Sequence, residues 1–130
     1  MITEDYCSFE VAKLLKEKGF EGICDYAYSN KGNYFEIDRS NFDEVYCLRP
    51  THQMAMKWLR EEKNLHIVVC ISYDTSVDAD GNEVDRWTFW FFEVLSSISG
   101  SLIYMEEINE YDSYEEAVEA ALKYCLENLI

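Results

Sequence analysis

Residues Trp87-Thr88-Phe89-Trp90-Phe91-Phe92 constrain the fold more than any other part of the chain. Read as a strand, Trp87, Phe89 and Phe91 share one face, and Trp90, Phe92 and Val94 share the other. A strand that is apolar on both faces asks for cover on both. In 130 residues that means either three packed layers or an aromatic face used for association. The hydrophobic fraction of 48% and aromatic fraction of 15% supply the material for a core and exclude a disordered chain.

The neighbouring segments fix the class. Ser8 is the expected N-cap of a first helix ending at Gly19, with Phe20 folding back on Leu15. Residues 23–28 and 34–37 read as short strands around the turn Ser29-Asn30-Lys31-Gly32, with a further extended piece at 45–48. Thr51, after Pro50, caps a second helix running to about Lys63, where Asn64 suits a left-handed closure. Strands are expected near 65–73, 86–95 and 101–107, with a long acidic loop between the first two. A last helix follows the capping box Ser113-x-x-Glu116. Its stripe is Tyr114, Val118, Ala121, Leu122, Cys125, Leu126 and Leu129. The expected fold is one α+β domain over 1–130: an antiparallel meander sheet with about three helices, packed mainly on one face.

Charge is distributed unevenly. Residues 1–66 hold nine basic and 12 acidic groups, and residues 67–130 hold two and 14, for a net of −15. From Trp87 to Leu122 there is neither lysine nor arginine. Such a field repels nucleic-acid phosphates and anionic membranes and attracts a basic surface. Nucleic-acid binding and membrane association are therefore not expected. No apolar stretch approaches the roughly 18 residues of a membrane-spanning helix, and the first residues lack the basic-then-apolar pattern of a secretory signal.

Few residues carry a recognisable chemical motif. Five widely spaced cysteines, an odd number with no C-x-x-C, read as buried thiols in a reducing cytoplasm. Setting Gly81 at position 6 of a calcium loop leaves Trp87 at position 12, where a glutamate is required, so a solvated hairpin loop is expected. His52 and His66 belong to no metal-ligand spacing, and no serine-nucleophile or phosphate-loop motif occurs. Neither a metal nor a cofactor is expected. The candidate binding residues are the acidic string Glu106, Glu107, Glu110, Asp112, Glu115, Glu116 and Glu119. Trp87, Trp90 and Phe92 are the candidates for self-association as a homodimer.

The segment Pro50-Thr51-His52-Gln53-Met54-Ala55-Met56-Lys57-Trp58-Leu59-Arg60-Glu61 resembles one in small uncharacterised proteins of gut anaerobes and their prophages. Residues 114–126 are similar to the C-terminal helix of the same proteins. The resemblance implies a mobile-element origin and carries no activity and no site residues. The leading expectation is a non-enzymatic acidic protein-interaction module, an accessory protein of a phage or mobile element that meets a basic protein surface. The alternatives are a mimic of nucleic-acid charge that inhibits a basic protein, and an enzyme with an unrecognised site.

Overall fold

A computed structural model of the chain describes residues 1–106 and 109–130. Glu107, one of the candidate acids, lies outside the described residues. The fold is α+β, with helices α1 (Phe9–Glu17), α2 (His52–Glu62) and α3 (Tyr114–Asn128) and two three-stranded antiparallel sheets. The smaller sheet has the order β2-β1-β3, from β1 (Tyr26–Tyr28), β2 (Tyr34–Glu36) and β3 (Cys47–Leu48). The larger is a meander of β4 (Leu65–Val77), β5 (Glu83–Ser96) and β6 (Leu102–Met105). The extended pieces of the first half thus form a sheet of their own.

Local chemistry sets the helix ends. Ser8, Thr51 and Ser113 each accept a hydrogen bond from the backbone N–H three residues on, which satisfies a donor that the first turn leaves free. α1 closes as expected: Gly19 takes a φ of 86°, and the Phe20 N–H donates to the Leu15 carbonyl at 2.9 Å. Asn64, at φ 59°, turns the chain from α2 into β4. In the α3 capping box the Glu116 carboxylate reaches the Asp112 N–H at 3.1 Å, one residue before the position the simple motif predicts.

The core lies between the helices and one face of the larger sheet. α3 contributes Val118, Ala121, Leu122, Cys125 and Leu126, β5 contributes Phe92 and Val94, and β4 contributes Leu65 and Ile67. Leu14 and Phe20 pack against its edge. The helices cover only the proximal part of the β4–β5 hairpin. Beyond Cys70 on β4 and before Phe89 on β5 most side chains are exposed. The hairpin closes through Asp78, whose carboxylate accepts the N–H groups of Asp80 and Asn82 at 2.9 Å each.

The aromatic run is therefore not buried on both faces. Phe92 is 1% exposed and stacks with Tyr104 in the core. Trp90 packs edge-on against Tyr114 and pairs its backbone with Tyr111. Phe92 is spent inside the fold and offers no association surface, while Trp90 stays half-buried. On the other face Trp87 is 40% exposed, and Phe89 and Phe91 lean on each other with ring centroids 6.2 Å apart.

Candidate functional site

The N-terminal segment and the start of α2 build one corner of the molecule together. Tyr6 pairs with Thr51 in an antiparallel bridge, the Cys7 N–H donates to the Pro50 carbonyl, and the His52 N–H donates to the Asp5 carbonyl. Both strands of this bridge run directly into helices, so the N-termini of α1 and α2 emerge side by side. The first-turn N–H groups and the dipole of each helix suit this point of the corner to an anion.

The anion is supplied by α3. Glu119 accepts the Ser8 N–H and the Ser8 hydroxyl, each at 2.8 Å, one on each carboxylate oxygen. The oxygen that takes the Ser8 N–H also lies 2.9 Å from His52 Nε2. A carboxylate can only accept, so Nε2 carries the hydrogen. Burial is the strongest single influence on the Glu119 carboxyl and opposes its ionisation. The hydrogen bonds from His52 and from Ser8 together outweigh it and hold the group below the ordinary carboxylate range. One side chain thereby ties three helices.

Cys7, His52 and Glu119 each point a ligand-type atom into a space in which these atoms lie within 4.8 Å of one another. The same trio invites a nucleophile–base–acid reading and a metal reading. The bonding supports neither. His52 is 5% exposed, and its Nδ1 touches no hydrogen-bonding partner, so the base does not reach the thiol. The Cys7 thiol contacts the Thr51 carbonyl instead, and burial, reinforced by the Glu119 charge, pushes its ionisation far up. A cation there would face two positive helix ends and compete with Ser8 for both carboxylate oxygens. Burial raises the other cysteines too, Cys24 to about 11 and Cys125 to about 12, with Cys47 and Cys70 shifted the same way.

Outside this bracket opens a groove of about 570 Å³ lined by Asp5, Tyr6, Ser8, His52, Tyr111, Glu115, Glu116 and Glu119. Four carboxylates line it, two tyrosines flank them, and no lysine or arginine does. Three of the seven candidate acids, Glu115, Glu116 and Glu119, therefore meet in one place. Glu106 lines a separate groove with Phe92, Asn109, Tyr111 and Tyr124, and its carboxylate lies 3.4 Å from the Tyr104 hydroxyl. Glu110 and Asp112 stand exposed and line neither. Asp5 and Tyr6 are not among the residues that the sequence singles out. Nothing in their local sequence marks them, because they reach the groove through the pairing with 50–52, 44 or more residues away in the chain. Compared with known proteins, the chain matches no family model, no curated protein and no solved structure.

Proposed function

We propose that the chain is a non-enzymatic interaction module that receives a basic side chain of a partner protein in the groove between Asp5, Tyr6, Tyr111, Glu115 and Glu116. The observation that carries this reading is the lining itself: carboxylates beside aromatic rings, with no lysine or arginine among them. Carboxylates attract a guanidinium or ammonium group, and the Tyr111 ring can receive it by cation–π contact, as Tyr6 already receives Arg49. The chain already uses this chemistry internally, where the Arg49 guanidinium lies 4.3 Å from the Tyr6 ring centroid and 4.0 Å from that of Tyr34. The acids line one shallow, open groove, and Asp5 and Glu115 stand at its rim beside the two tyrosines. The phage or mobile-element setting rests on the resemblance of residues 50–61 and 114–126, and the cytoplasmic setting on the free thiols.

The test is a titration with hepta-arginine and hepta-lysine, followed by backbone amide shifts at moderate salt. Shifts should concentrate at Asp5, Tyr6, Tyr111 and Glu115. The double variant Asp5→Asn/Glu115→Gln should weaken binding several-fold, while Glu110→Gln/Asp112→Asn should leave it nearly unchanged. Shifts spread evenly over every acidic residue would show a diffuse field and no site.

A further inference from the structure

Among the described residues, strand β4 ends the larger sheet and its far edge is unpaired, with β5 as its one strand neighbour. The outward groups can be assigned. The Thr75 N–H bonds the Asp74 side chain and so is not in the ladder with β5. Trp90, opposite Ile71, and Arg86, opposite Thr75, likewise direct their N–H groups away from β4. Non-hydrogen-bonded pairs alternate along an antiparallel ladder, so Ile67, Val69, Ile71 and Tyr73 also point N–H and C=O outward. Soluble proteins normally blunt such an edge with lysine, proline, a bulge or shortness. Here the edge runs 13 residues, contains no lysine and no proline, and shifts register only at Ser76/Val77, beside the tip. Asp74 is its one acidic residue.

We infer that β4 is a homodimerisation edge: a second copy of this chain adds its β4 antiparallel to the first, about a two-fold axis at Cys70. Outward-pointing residues must face each other across the new ladder, which limits the axis to a few positions. An axis at Ile71 sets Asp74 against Val68, and one at Ser72 sets it against Cys70. An axis at Cys70 sets Asp74 opposite the partner's His66, so the carboxylate meets an imidazole at both ends of the pairing. The same register solves the uneven cover of the hairpin. Ile71 and Tyr73, 57% and 56% exposed on the face that carries the helices, come to lie beside the partner's Val69 and the partner's Ile67. Those two belong to the proximal stretch, where α2 contacts β4. The bare half of each copy is thereby laid against the helix-covered half of the other. Backbone hydrogen bonds hold the pair, as in other strand-addition complexes.

At the axis Cys70 faces the partner's Cys70 in a non-hydrogen-bonded pair, where Cα atoms stand about 4.5 Å apart, within the range a disulfide spans. Diamide therefore reads the register. It takes two protons and two electrons from two thiols, which join as a disulfide while the diamide becomes a hydrazine. With the full chain at moderate salt, sedimentation should show a monomer–dimer equilibrium, and diamide should give a covalent dimer that Cys70→Ser abolishes. Ile71→Pro removes only an outward N–H and should leave a folded monomer. Cys70→Arg sets two guanidinium groups face to face and should do the same without touching the backbone. Loss of the dimer in a variant still folded by circular dichroism supports the edge. A monomer at all concentrations, a dimer that survives both variants, or a cross-link that persists in Cys70→Ser would overturn it.

Discussion

The two halves of the β4–β5 hairpin are one continuous ladder with one hydrogen-bonding pattern, yet they differ in everything else. From Leu65 to Val69, and from Phe92 to Ser96 across from them, one face lies under α2 and α3, and Leu65, Ile67, Phe92 and Val94 are buried. From Ile71 to Val77, and from Glu83 to Trp90, the same two strands run on with little of their own chain over them. Both halves carry β-branched and aromatic residues, and the distal half adds Asp74, Glu83, Asp85 and Arg86. Backbone pairing sets the shape of the hairpin, and helix cover decides which part of it is core.

Truncation separates the halves most sharply. Phe92→Ala should cost about 3–5 kcal/mol and Leu126→Ala about 2–5 kcal/mol in chemical denaturation, because each opens a cavity in a fully packed cluster. Trp87→Ala, on the uncovered face of the same strand, should cost less than about 1 kcal/mol, measured at concentrations where the chain is monomeric. Equal losses at Phe92 and Trp87 would show that the distal half is covered after all.

An effect of middle size should arise at the corner where three helices meet. Glu119→Gln keeps the shape but loses the charge that the N-termini of α1 and α2 stabilise, and should cost about 1–3 kcal/mol near neutral pH. The sign of its pH dependence follows from the lowered carboxyl. Stability from ionised Glu119 is complete above the ordinary carboxylate range, and it is lost as pH falls through the folded value below that range. Acid titration of the wild type should therefore show a steeper loss than the variant, and parallel curves would mean that Glu119 contributes nothing by its charge. The smallest effect should be graded along the ladder itself. Amide exchange should be slower at Val68 than at Asp74, since local opening costs less where few apolar contacts must break.

Much of this was legible in the sequence for a definite reason. The helix ends are written in short-range chemistry: Ser8, Thr51 and Ser113 at the N-caps, Gly19 and Asn64 at the left-handed turns. The α3 stripe is similarly local, and with the strand-rich runs near 65–73 and 86–95 it points to the class and the order of elements. The site was legible only in part. Glu115, Glu116 and Glu119 stood in the acidic string, but their separation from Glu110 and Asp112 depends on the direction each takes from α3 and the loop before it. His52 looked ordinary because its partner is 67 residues away. The two-faced aromatic run suggested either burial on both sides or association, and the answer is divided by residue. Phe92 went to the core, Trp90 to Tyr114, and Trp87 to the open face.

The bond between Ser8 and Glu119 spans 111 residues of a 130-residue chain. Closing so long a loop costs more chain entropy than forming local contacts, so this contact is expected to form late, as a latch. Glu119→Gln should accordingly leave the refolding rate almost untouched and express its cost as faster unfolding, visible as a shift of only the unfolding limb of a chevron plot.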